Sequence, residues 1–178
     1  PSKGDRMKTL VVYSSLTGNT KMVAEAIAEA MPDCDIFSVQ EAPASVEGYD
    51  LVAVGYWVDK GMPDSRCKAW LEGLKDARIA FFGTLGAYPD SDHARECKEK
   101  AAALVLEPER GNSVLGSWLC MGKIDPKVLE IMAKMAQNVH PMTPERKARI
   151  EEAAKHPNAE DCKAAQDFIR GVLASLAN

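Results

Sequence analysis

Four hydroxyl residues and an asparagine crowd into seven positions, Ser14-Ser15-Leu16-Thr17-Gly18-Asn19-Thr20. The chemistry such a cluster can do is anion binding. It follows a short apolar run, Leu10-Val11-Val12-Tyr13, and precedes a helical repeat. Val23, Ile27 and Ala30/Met31 share one face of that repeat, and Lys21, Glu25 and Glu29 the other. A strand feeding a helix in this way leaves the first-turn amides unpaired and pointing at the loop. The helix dipole adds partial positive charge there, and hydroxyls supply further donors. The loop contains no lysine or arginine, so its own side chains offer a phosphate neutral donors only.

Two phosphate-binding signatures are excluded. Gly18 is followed by Asn19 with no upstream glycine, which rules out a Walker A loop, and one glycine is too few for a dinucleotide fingerprint. A plain turn that uses Thr17 as a helix cap stays open as the alternative.

The elements that must position this loop alternate along the chain. Five stretches read as strands: 8–13, 34–39, 50–56, 78–83 and 113–119. The first, third and fourth are near-continuous apolar runs, as expected of strands covered on both faces. Helices are predicted near 18–31, 64–75 and 91–106, with Asp64 and Ser91 as N-caps. The proline-broken stretch 41–48 is not read as a helix. The fold class is therefore α/β, a doubly wound five-stranded parallel sheet with right-handed crossovers. The order 2-1-3-4-5 places the ligand crevice beyond the C-terminal ends of strands 1 and 3. A closing helix is predicted at 159–177, capped by Asn158, with Cys162, Ala165, Phe168/Ile169, Val172 and Leu176 on one face. Between strand 5 and this helix lies a helical insertion, about 120–157, leaving from the crevice rim at Cys120-Met121-Gly122. Its first helix, 126–139, is expected to bury Val128, Met132 and Met135. Its second, 144–155, carries Arg146, Lys147 and Arg149 and is expected to face solvent or a partner.

Two further loops reach the same rim. The loop after strand 3 carries Tyr56 and then Trp57, Val58, Asp59, Lys60 and Gly61; the loop after strand 4 carries Thr84, Leu85, Gly86, Ala87, Tyr88 and Pro89. Each combines an aromatic with a glycine in a chain that is only 6% aromatic, so the pairing stands out. A planar ligand favours that combination: aromatic faces stack on it, and glycine lets backbone amides approach its heteroatoms.

The segment Ser14–Thr20, with these rim loops, resembles the flavodoxins. The resemblance covers residues 8–119 in order, plus the closing helix. It departs at Leu16, where flavodoxins usually carry a third phosphate-contacting Thr or Ser. Residues 57–61 (WVDKG), 83–91 (GTLGAYPDS) and 115–126 (LGSWLCMGKIDP) are similar to a branch from anaerobic bacteria that includes the accessory flavodoxin of bilirubin reductase. The resemblance implies flavin mononucleotide (FMN) as cofactor, with its phosphate on Ser14–Thr20 and its ring beside Trp57 and Tyr88. It implies that the Gly61 peptide turns to meet reduced flavin. The implied partner is a redox protein, a reductase or electron donor, with a bilirubin-reductase-like enzyme as the candidate. Two rival functions stay open: an FMN-dependent reductase of a quinone or tetrapyrrole, and a flavin-free docking module.

Composition bounds the rest. At 178 residues, residues 7–178 form a single domain, with 1–6 an expression-derived leader or disordered tail. A net charge of −4 argues against nucleic acid and anionic membranes as partners. Apolar runs such as Leu51–Val54 are far short of the ~20 residues of a membrane helix, and no signal-peptide pattern precedes Met7. Five scattered cysteines without a C-x-x-C pair read as reduced thiols in a cytoplasm. His93, His140 and His156 lack metal-ligand spacing. No catalytic acid, base or nucleophile is assigned.

Overall fold

A computed structural model describes residues 6–136 and 142–177. The elements are β1 (Thr9–Tyr13), α1 (Asn19–Glu29), β2 (Cys34–Ser38), β3 (Leu51–Asp59), β4 (Met62–Pro63), α2 (Ser65–Leu71), β5 (Arg78–Leu85), α3 (Asp92–Ala103), β6 (Ser113–Met121), α4 (Pro126–Ala136), α5 (Pro144–Ala153) and α6 (Ala159–Leu176). The sheet runs β2-β1-β3-β5-β6, all parallel. The two-residue β4 pairs only with the end of β3, antiparallel. With β4 set aside, this is the order expected from the alternation.

The period-2 pleat sorts the apolar strand residues onto two faces. Leu10, Val12, Val52, Val54, Tyr56, Ile79 and Phe81 face α2 and α3, where Cys67, Leu71, Ala94, Cys97 and Ala101 meet them. Val11, Leu51, Ala53, Ala80 and Phe82 face α1 and α6, against Val23, Ile27, Ala165, Ile169 and Val172. Asp64 and Ser91 cap α2 and α3 as expected, and Asn158 with Asp161 closes a capping box on α6. Of the tail, residues 1–5 lie outside the described residues.

Two expectations need correction. The rim segments begin as strand rather than loop: β3 continues to Asp59 and β5 to Leu85, with Trp57 opposite Thr84. Helix α4, expected to be core, has no buried side chain among its described residues. Val128, Ile131 and Met135 are 40%, 59% and 61% exposed. The cause lies in the layers: α1 and α6 cover one sheet face and α2 and α3 the other, so no apolar face is left for α4. Residues 137–139 of the expected helix, and His140, lie outside the described residues. The charged α5 is the better anchored of the two, through fully buried Ala153.

The end of the sheet away from the C-terminal strand edges is closed by one cation. Between α3 and β6, the Arg110 guanidinium donates to the carbonyls of Leu71, Leu74 (3.0 Å) and Leu104 (2.7 Å), at the ends of α2 and α3. Positive charge at helix C-termini meets both the orphan carbonyls and the negative dipole ends. Asn112 reinforces it, donating to the carbonyls of Leu74 and Val105 and accepting from the Ala77 amide.

Candidate functional site

A cleft of about 380 Å³ opens at the C-terminal strand ends, above β1, β3 and β5. Its size falls within the usual range of ligand pockets, ~300–1,000 Å³. Three walls come from the predicted loops: Ser15, Leu16, Thr17, Asn19 and Thr20; Trp57, Val58, Asp59 and Lys60; and Thr84, Leu85 and Gly86. The fourth wall, Gly122–Asp125 with Val128, was not assigned from sequence. Its signal was nonetheless present, because every parallel strand of such a sheet ends on this rim, β6 included.

At the foot of the cleft, α1 begins at Gly18, which sits in the left-handed region and makes no side-chain cap. Thr17 is therefore not spent on capping. Ser15 Oγ accepts from the Gly18 and Lys21 amides at 3.1 and 3.3 Å, folding the loop back over the helix start. The Asn19 and Thr20 amides and the exposed Thr17 hydroxyl are left to face a ligand. Below them, Thr20 and Thr84 join hydroxyl to hydroxyl at 3.0 Å, both buried. Ser14 does not line the cleft. It is buried, and its hydroxyl donates to Asp64 Oδ2 at 2.5 Å. That carboxylate also accepts from the amides of Trp57 and Cys67, both at 3.2 Å, so Ser14 serves the junction of β1, β3 and α2.

The fourth wall is fastened to the phosphate-type loop. Asn19 Nδ2 donates to the Lys123 carbonyl at 2.9 Å, and the Gly122 amide donates to the Leu85 carbonyl at 2.9 Å. Gly122 has to be glycine for this approach. A Cβ there would lie 2.9 Å from Asn19 Nδ2 and 3.2 Å from Thr84 Cβ. Lys123 also brings to the lining a cation that the loop itself lacks.

Lys60 and Gly61 form the two-residue turn between β3 and β4. Both have positive φ, 52° and 81°, as a type I′ hairpin requires. Gly61 is buried against α3, with His93 Cε1 and Lys100 Nζ each 3.7 Å from where its Cβ would stand, and it is not on the cleft lining. Gly18, Ala87, Tyr88 and Pro89 also lie off the lining. Tyr88 belongs to the turn into α3, its carbonyl accepting from the Ser91 amide and hydroxyl.

The cysteines are all free, and burial pushes Cys67 and Cys120 well above the ordinary thiol range, away from thiolate chemistry. Among the described residues no group of three or more metal-ligating side chains forms, and no helix is long and apolar enough to cross a membrane.

The sequence profile of the flavodoxin domain matches residues 10–170. The chain belongs to the flavodoxin domain family. Within it, the chain is 35% identical over 175 residues to the flavodoxin-like domain-containing protein BilS of Clostridioides difficile strain CD3, covering 94% of this chain and 97% of that one. It is 29% identical over 185 residues to BilS of Clostridium symbiosum strain WAL-14163, covering 92% and 94%. The fold matches a Lactobacillus acidophilus flavoprotein solved in complex with FMN, at TM-score 0.52 and 19% identity over 71% of this chain and 99% of that one.

Proposed function

We propose that this flavodoxin-family protein holds FMN in the cleft and passes electrons to a redox partner protein. The observation that carries the reading is the start of α1 at the foot of a mostly apolar cleft that Trp57 also lines, where the Asn19 and Thr20 amides keep no partner within the loop. A terminal phosphate fits that place, because amides and the Ser15 and Thr17 hydroxyls can surround it, with Lys123 near by. A buried diphosphate fits less well, since the glycine-rich approach it needs is missing. Val58, Leu85, Gly86 and Ile124 offer the apolar slot for a planar ring. When bound, FMN supplies reversible one- and two-electron chemistry, and the chain supplies binding, orientation and field.

The partner is a reductase or electron donor, and the resemblance of residues 57–61, 83–91 and 115–126 to the accessory flavodoxin of bilirubin reductase makes an enzyme of that kind the first to test. The five free cysteines suit a cytoplasmic setting. One observation favours direct reduction of a small molecule as a second reading: Ile124 and Val128 build a cleft wall from the insertion, where a substrate could rest.

Absorbance of the purified protein, acid release and chromatography test the cofactor. FMN is expected, and FAD or no flavin overturns the reading. Reductive titration followed by mixing with candidate acceptors then separates the two readings. Rapid reoxidation by a quinone or tetrapyrrole with NAD(P)H would favour the reductase.

A further inference from the structure

Outside the cleft, the described residues hold one cluster of more than two charged groups in close contact, and it touches the cleft wall. The His156 ring lies between α5 and α6. Its Nδ1 is 2.6 Å from Asp161 Oδ2 and its Nε2 is 2.8 Å from Glu152 Oε2. A neutral imidazole has one N–H donor and would turn a lone pair toward one of these carboxylates, so the geometry calls for the doubly protonated ring. From the same residue, the His156 carbonyl accepts the Lys123 amide at 2.8 Å. Lys123 in turn accepts from Asn19 Nδ2. A continuous path therefore runs from the carboxylates at the α5–α6 junction, through the backbone of one residue of the cleft wall, to the loop at the start of α1.

We infer that His156 is a positioning residue for the cofactor cleft: as an imidazolium held by Glu152 and Asp161, it fixes the backbone that anchors Lys123 and, through it, Asn19. The inference rests on reading the cleft as the FMN site. The charged groups around the ring are Glu152 and Lys155 at the end of α5, with Lys155 Nζ 3.4 Å from Glu152 Oε1, and Asp161 on α6. The cleft wall approaches through the Lys123 backbone. The two carboxylates hold the imidazolium proton, and the hydrogen bond to Asp161 has the larger share in raising the His156 pKa above its ordinary range. When the proton leaves, one carboxylate loses its donor and the 155–158 turn is freed to shift. The Lys123 amide then loses its fixed acceptor. Asp161 keeps its capping role throughout, since it also accepts the Asn158 amide at 2.9 Å.

The test is FMN titration of the flavin-stripped full chain across about pH 5.5–8.5, on the parent, His156→Gln and Glu152→Gln. The phosphate's own second ionisation, near pH 6, acts on all three proteins and cancels in the ratio of dissociation constants. At the acid end His156→Gln should bind about tenfold more weakly than the parent. The ratio should close toward one as the parent's His156 deprotonates, with Glu152→Gln in between. Protection of the Lys123 amide against hydrogen exchange should fall in His156→Gln, corrected for the intrinsic rate. A ratio that stays flat with pH while Lys123 keeps its protection overturns the inference. If the parent binds no flavin, the FMN reading fails instead. Lys123 protection then decides alone whether His156 holds the wall: lost protection upholds the inference, and unchanged protection overturns it. Glu152 is half-exposed, so its variant keeps the test alive if His156→Gln fails to fold.

Discussion

Thr20 and Thr84 hold their hydroxyl oxygens 3.0 Å apart beneath the cleft, one from the first turn of α1 and the other from the end of β5. Thr84 is also flanked in the sheet by Trp57 and Cys120, so this contact ties the helix start to the centre of the rim. Thr84→Val keeps the shape but leaves the Thr20 hydroxyl without its partner in a nearly dry place. It should cost about 1–3 kcal/mol. The double variant with Thr20→Val should cost less than the sum of the singles, as urea denaturation of the four proteins would reveal.

Thr17 and Asn19 should separate by mechanism. The Thr17 hydroxyl is exposed, so Thr17→Ala removes a donor to a charged ligand, worth about 1.5–3 kcal/mol or roughly tenfold to a hundredfold in FMN affinity. Folding stability should barely move. Asn19→Ala also frees the Lys123 carbonyl, so it should weaken FMN binding and raise hydrogen exchange along 122–125. FMN titration with exchange measurements distinguishes them, and a Thr17→Ala protein with parental affinity would move the phosphate elsewhere.

Gly122→Ala should push the fourth wall off the loop. The added methyl meets Asn19 and Thr84 at distances shorter than ordinary contact, at a cost of about 1–3 kcal/mol. FMN affinity should fall with it, as titration of the flavin-stripped protein would measure.

The two layers of helix make opposite forecasts for two isoleucines. Ile169 on α6 is fully buried and Ile131 on α4 is 59% exposed. Ile169→Ala should cost about 2–5 kcal/mol, whereas Ile131→Ala should stay within about 0.5 kcal/mol. Thermal unfolding of the flavin-free protein reads both.

The His156 cluster sets a pH signature on stability. With its folded pKa above the ordinary 6.5, His156 contributes fully below that value and loses its contribution as pH rises through the folded pKa. Glu152, held below the ordinary 4.5 first by its hydrogen bond to His156, contributes above that value and loses its share as pH falls through the folded pKa. Melting temperature should therefore peak in mildly acidic solution and decline on the alkaline side. His156→Gln should remove the part of that decline that falls nearest neutrality, leaving the more alkaline loss that the buried thiols Cys67 and Cys120 impose.

Much of this architecture was legible because strands buried on both faces read as uninterrupted apolar runs, and because Asp64, Ser91 and Asn158 are strong capping residues at the right places. The loop from Ser14 to Thr20 was legible from its hydroxyls alone. Ser14's engagement with Asp64 was not, since it joins positions 50 residues apart. The departure of the insertion from the rim at Gly122 was legible, but its contact with Asn19 across 104 residues was not. For α4, hydrophobic periodicity identified an apolar face correctly but said nothing about whether the layers would leave anything to cover it. The extension of β3 escaped because Trp57-Val58-Asp59 runs straight into the Lys60-Gly61 turn, and that of β5 because Thr84-Leu85 is enclosed by Gly83 and Gly86; only the neighbouring strand reveals the pairing.

Arg110 gives the molecule two poles of different character. Its guanidinium gathers carbonyls from the ends of α2 and α3 where the sheet begins, far from where the strands finish. Three chain segments are tied there by one guanidinium and one side-chain amide. The opposite pole can therefore acquire insertions, swap rim residues or adapt to new partners while the knot at Arg110 keeps the helices in register. Variation in such a chain has a preferred side to occur on.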